Sequence, residues 1–161
     1  NMAGPLTNPA GTRYQVLGVP DRSLTQKIAG VLRNLNSTRA MVVWGDGVCD
    51  EISTTGKTTV SELSGGKIRT YTLTPRDFGL KRAEFGQLRG GTARQNARTI
   101  IRVLKGLEPV KTDIVLANAS AGLVVTGKAG SFTEGVRIAR ACIQSGAALA
   151  RLEAVRATCT L

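Results

Sequence analysis

Residues 40–45 read Ala-Met-Val-Val-Trp-Gly, an apolar run without polar alternation. A strand that is apolar on both sides has to be covered on both sides, which places it in a parallel sheet flanked by helices. Residues 14–19, Tyr-Gln-Val-Leu-Gly-Val, form a second strand-like run. Between the two, Asp21 can cap a helix in which Leu24, Ile28, Val31, Leu32 and Leu35 recur at helical spacing, with an end near Asn36. The expected opening unit is strand, helix, strand, and the fold class is α/β.

Residues 57–63 and 67–73 then flank Ser64, Gly65 and Gly66, the pattern of a β-hairpin added beside the parallel core. Thr92 and Gln95 form a capping-box pair that opens a helix with Ala93, Ala97, Ile100, Ile101 and Leu104 on one side. Its other side carries Arg94, Arg98, Arg102 and Lys105. Residues 113–125 are apolar nearly all round and rich in small side chains, which predicts a buried, closely packed helix. Residues 131–134, Ser-Phe-Thr-Glu, make a second capping box, and the helix they open ends near Gly146, where another begins. Two core strands are too few for this many helices, so the chain reads as part of an α/β domain.

With 161 residues, 42% of them apolar, the chain can bury one substantial core. No uncharged apolar run reaches the roughly 18 residues of a membrane span, and the first residues lack the basic and apolar segments of a signal peptide, so a cytoplasmic protein is expected. The absence of histidine removes the commonest general base and the Ser-His and Cys-His nucleophile systems. Cys49, Cys142 and Cys159 are an odd number without a Cys-x-x-Cys spacing, which supports neither a disulfide framework nor a zinc site. Cys49 is read as a packing residue. Any metal has to be a hard cation held by oxygen. A net charge of +11 favours an anionic partner, whether nucleic acid, a phosphorylated metabolite or a membrane surface. Aromatic residues are only 4% of the chain, too few for a single-strand stacking platform. The arginine-rich side of the helix after Thr92 fits a solvated surface or a phosphate contact.

Carboxylates are scarce, 11 against 22 Lys and Arg, yet Asp50 and Glu51 stand side by side just after the apolar strand. On its own such a pair is a solvated acidic turn or a cation site. Its surroundings decide between them. The stretches NMAGPLTNPAG (1–11), DEIS (50–53), YTLTPRDFGL (71–80), LRGGTARQNA (88–97) and GKAGSFTEGVRIARACIQSGAALARLE (127–153) resemble anthranilate phosphoribosyltransferases over essentially the whole chain. The resemblance is to the C-terminal part of that family's mostly parallel α/β sheet domain, with flanking helices and an added hairpin. The family's N-terminal helical domain, its glycine-rich phosphate loop and its Lys-His-Gly-Asn segment are expected upstream of Asn1, on the same chain or on another.

The resemblance implies transfer of the phosphoribosyl group from phosphoribosyl pyrophosphate to the amine of anthranilate, with release of pyrophosphate, in tryptophan biosynthesis. It implies that Asp50 and Glu51 are ligands of a Mg2+ ion on the pyrophosphate. It implies that Asn1, Gly4 and Pro5 belong to the anthranilate path, where a glycine lets a flat ring approach the backbone and a proline gives a rigid wall. It also implies a homodimer assembled through the upstream helical domain, and no activity for residues 1–161 alone. A nucleic-acid-binding sibling of the same fold is the alternative, and pyrimidine nucleoside phosphorylases are a related class. The intact GPLTNPAG run and DEIS favour the transferase.

Overall fold

The computed structural model describes residues 3–47 and 50–159. A short helix, α1 (Ala3–Leu6), precedes strand β1 (Tyr14–Gly18), helix α2 (Leu24–Asn34) and strand β2 (Arg39–Gly45). Strands β3 (Thr58–Ser64) and β4 (Lys67–Leu73) follow, then a 3-10 turn at Pro75–Phe78. Helices α3 (Phe85–Leu88), α4 (Ala93–Leu104), α5 (Pro109–Val125), α6 (Phe132–Gln144) and α7 (Ala147–Thr158) complete the described chain. None of the described helices is long and apolar enough to cross a membrane.

The strands form one sheet in chain order, with β1 and β2 parallel and the other two pairings antiparallel. The hairpin is the outer half of this sheet, because β3 pairs with β2 from Arg39↔Ser64 to Gly45↔Thr58. Gly65 and Gly66, at φ 55° and 74°, supply the two left-handed residues that a type I′ turn between β3 and β4 requires.

The apolar run behaves as its composition dictates. Ala40, Met41, Val42 and Val43 of β2 are each no more than 1% exposed. Ala40 and Val42, with Leu17 and Leu63, pack under Ile28, Ala29 and Leu32 of α2. Met41 and Val43, with Val60 and Leu73, pack against Leu116, Ala117 and Ala121 of α5 and Val136 of α6. Helix, sheet and helix therefore form three layers with β2 in the middle. Val31 and Leu35 lie outside the buried stripe of α2 and are exposed. Asp21 orders the turn before that helix, its carboxylate accepting from Ser23 N at 2.7 Å.

One polar tie crosses the interface between the sheet and α5. Arg39 Nη1 donates to Val124 O near the end of α5 at 2.8 Å, Nη2 pairs with Glu62 at 3.0 Å, and the Tyr71 hydroxyl donates to the same carboxylate at 3.0 Å. The cation meets the carbonyl-rich end of the helix and one anion at once.

Both capping boxes are present in part or in full. Thr92 and Gln95 exchange both bonds, Gln95 N to Thr92 Oγ1 at 3.3 Å and Thr92 N to Gln95 Oε1 at 2.8 Å. Ser131 accepts from Glu134 N, but the Glu134 carboxylate reaches one residue further back, to Gly130 N at 2.9 Å. Helix α5 is buried on part of its surface, with Val115 exposed, and α4 buries Val103 while Ile100 is 54% exposed at the edge of a cleft. Helices α5 and α6 cross closely where Gly135 faces Ser120. A Cβ on Gly135 would lie 2.9 Å from Ser120 Cα, inside contact distance.

Gly135→Ala is expected to force α5 and α6 apart and to lower stability by about 1–3 kcal/mol. Gly30→Ala, at a helical position with nothing within 4 Å of the added carbon, is expected to raise it by about 0.4–1 kcal/mol. Denaturant midpoints of the two variants measure both, and a neutral Gly135→Ala would contradict the tight crossing.

Candidate metal centre

The acidic pair sits where the two parallel strands end. Gly18 closes β1 and Gly45 closes β2, and the returning chain lies directly on both backbones. A side chain at Gly18 would run into the carbonyl of Asp50, and one at Gly45 into the carbonyl of Glu51. Glycine in a strand at a close backbone approach is what this crossing demands. In α/β sheets the carboxyl ends of parallel strands are where ligands bind.

Hydrogen bonds fix the chain on the downstream side of the pair. The Ser53 hydroxyl donates to Asp46 O at 2.7 Å and accepts from Thr55 N and Gly56 N, both at 3.1 Å. Ser53 N donates to Thr58 Oγ1 at 2.9 Å, and Arg82 Nε donates to Thr55 O at 2.7 Å. Ile52 is fully buried in the core between the sheet and α5. Its N–H donates to Asn118 Oδ1 of α5 at 3.0 Å, and its carbonyl accepts from Asn118 Nδ2 at 3.3 Å.

Between these anchors Asp50 and Glu51 are exposed. Glu51 lines a cleft of about 640 Å3 together with Gly47, Phe85, Arg89, Lys111 and Ile114. Lys111 Nζ donates to Arg89 O at 2.9 Å within it. Burial at the cleft wall pushes the Glu51 carboxyl above its ordinary value, and the neighbouring Asp50 charge pushes it further in the same direction. A cation relieves both effects. Among the described residues no three His, Cys, Asp or Glu side chains gather as a metal cage. Asp46, the other carboxylate of this loop, is turned to the Lys57 N–H at 3.3 Å. Two adjacent carboxylates without a cage suit a cation such as Mg2+, which binds one or two protein carboxylates and completes its shell with phosphate oxygens and water.

The other candidate residues are elsewhere. Gly4 and Pro5 are exposed on α1, and Pro5 lines a separate concavity with Arg13 and Gln15 at the beginning of β1, opposite the end that meets Asp50. Asn1 and Cys49 lie outside the described residues. Arg94, Arg98 and Arg102 of α4 and Lys105 just after it are all exposed, and Arg102 is paired with Glu108 at 2.6 Å. Sequence reasoning passed over Gly18, Gly45 and Asn118. Gly45 ends the apolar run 40–45 and Gly18 is the last residue but one of the run 14–19, both visible in the sequence, whereas the reach of Asn118 to a residue 66 positions earlier leaves no local trace.

Glu51 is expected to titrate above the ordinary carboxylate value of about 4.3. Asp50→Asn should lower that midpoint partway, because burial is the larger cause. The sign sets the consequence: the site loses its second anion as pH falls through the raised value, closer to neutrality than a free glutamate would. Carboxyl carbon NMR titration of the metal-free protein measures it, and an ordinary midpoint for Glu51 would refute the partly desolvated setting.

A profile of the family described as glycosyl transferase family, a/b domain, matches residues 1–149. The anthranilate phosphoribosyltransferase of Methanocorpusculum labreanum is 49% identical over 153 residues, which are 95% of this chain and 45% of that protein. The crystal structure of the Thermus thermophilus anthranilate phosphoribosyltransferase superposes with a TM-score of 0.84 at 42% identity, covering 93% of this chain and 44% of that one. The Saccharomyces cerevisiae enzyme in complex with PRPP and Mg gives a TM-score of 0.82 at 30% identity over the same shares. The chain thus spans less than half the length of these relatives and matches their C-terminal part. It belongs to the glycosyl transferase family with an α/β domain, and within that family it is similar to the anthranilate phosphoribosyltransferases.

Proposed function

We propose that these residues form the C-terminal part of an enzyme that transfers the phosphoribosyl group of phosphoribosyl pyrophosphate to anthranilate, giving phosphoribosyl-anthranilate and pyrophosphate for tryptophan biosynthesis. The observation that carries this reading is the exposed Asp50–Glu51 pair, held across the ends of two parallel strands in a chain 49% identical to a named anthranilate phosphoribosyltransferase. Asp50 and Glu51 hold the Mg2+ ion, which when bound neutralises charge on the departing pyrophosphate. The cleft beside Glu51 also presents Arg89 and Lys111, whose charges favour a phosphate-bearing ligand. Attack by the anthranilate amine needs no nucleophilic side chain, so a chain without histidine suits a reaction that depends on positioning and charge.

Asn1, Gly4 and Pro5 are assigned to the anthranilate path on their motif. The position of Pro5 at the far end of β1 means that this path reaches the metal loop only with help from outside these residues. The remaining half of the enzyme supplies the glycine-rich phosphate loop and the helical domain through which a homodimer forms. A cytoplasmic location accords with this biosynthetic role. For the nucleic-acid alternative helix α4 offers only exposed surface cations, and one of them, Arg102, is already engaged by Glu108.

In the intact enzyme, Asp50→Asn and Glu51→Gln are expected to reduce turnover at limiting magnesium by a factor on the order of 100, about 3 kcal/mol of charge stabilisation, while the fold is kept. Unchanged turnover under those conditions would exclude the assigned role. Residues 1–161 alone are expected to release no pyrophosphate in response to anthranilate, and addition of the complementary N-terminal part of a relative should restore release. Turnover by the isolated residues would show that the site needs nothing further.

A further inference from the structure

We propose that Asn118 is the positioning residue of the Asp50–Glu51 pair, acting through the backbone of Ile52. This rests on the metal reading of that pair. The Asn118 amide accepts from Ile52 N and donates to Ile52 O, so it grips one residue by both of its peptide groups, as a paired strand residue would. Its remaining amide hydrogen is directed to Ile114 O on its own helix at 2.9 Å, which fixes the side chain that does the gripping. Ile52 meanwhile inserts its side chain fully into the core beside Leu116 and Ala117. Residue 52 is thus held from its backbone and from its side chain, and Glu51 is the residue immediately before it.

The opposite side of the segment is held by contact. The carbonyls of Asp50 and Glu51 press on Gly18 and Gly45, so the pair is clamped between α5 and the two strand ends. All of these restraints act on peptide groups or on Ile52. Among the described residues no hydrogen bond or ion pair ties either carboxylate, which leaves both to meet a cation. Packing α5 against the loop would not by itself call for an amide, because an apolar side chain performs that task without desolvating polar atoms. The amide is placed against the residue that directly follows Glu51. Groups that orient metal ligands are worth about 10–100-fold in metal affinity. Helix α5 also carries Lys111 two turns earlier, and Lys111 lines the same cleft as Glu51.

The test uses Mn2+ as an oxygen-preferring probe of the same class as Mg2+, with binding followed by electron paramagnetic resonance in the absence of substrates. Asn118→Ala and the near-isosteric Asn118→Leu are expected to weaken Mn2+ binding about 10–100-fold while circular dichroism shows a folded protein. Ser120→Ala is the control. It removes a hydroxyl bond to Phe132 O at 2.7 Å from the same helix, away from the loop, and should leave Mn2+ affinity within about twofold. If both Asn118 variants bind Mn2+ like the wild type while Asp50→Asn does not, the positioning role is overturned and the metal site stands. If Ser120→Ala weakens binding as much as the Asn118 variants, the effect is general loosening and the proposal fails. If the wild type and Asp50→Asn bind alike, the metal reading falls and the positioning role with it.

Discussion

The chain between β2 and β3 lies on the bare backbones of Gly18 and Gly45, and this contact sets the geometry of everything at that end of the sheet. A parallel pair leaves its strand ends as a shelf, and a loop can follow the shelf closely only where no Cβ stands in the way. Two glycines, one at the end of each strand, provide that surface. The carbonyls of Asp50 and Glu51 rest on them, which turns both side chains away from the sheet. Ser53 then ties the loop to Asp46, and β3 begins only after the chain has been redirected. The exposed acidic pair is therefore a product of the sheet beneath it as much as of its own residues.

Charge is distributed around this end in a way that fits an anionic partner bridged by a cation. The protein carries +11, yet the loop at the strand ends presents two carboxylates, one of them with a proton affinity raised by burial and by its neighbour. Arg89 and Lys111 stand at the same cleft. A divalent ion with phosphate oxygens would satisfy both signs of charge.

Much of the fold was readable because local chemistry and tertiary structure agreed. The unbroken apolar run became a strand buried on both faces, Gly65–Gly66 became the two-residue turn, and Thr92 with Gln95 became a full capping box. The second box was less complete, because the Glu134 carboxylate chose the N–H of Gly130 over that of Ser131, a choice set by loop conformation that the spacing does not encode. The spacing of apolar residues on α4 marked the side that could be buried, but Ile100 faces a cleft, since amphipathic periodicity states a capacity and not the presence of a neighbour. The acidic pair was legible as chemistry. Its support by Asn118 was not, because a side-chain amide bonding to a distant backbone has no periodicity and no motif.

The burial of β2 on both faces has a further result. In a half-exposed strand, alternation of apolar and polar residues fixes the register, because a slip of one residue turns the wrong side to water. Residues 40–43 are apolar on both sides and carry no such information. The ends of the strand supply it. Arg39 must meet Val124 O and Glu62, and Gly45 must lie under the carbonyl of Glu51. A slip by one residue would push Trp44 into the loop at one end and draw a half-buried cation away from its partners at the other. The charged residue and the residue with no side chain act as stops, and the strand end that carries the acidic pair is thereby one of the two that keep the sheet's most featureless strand in place.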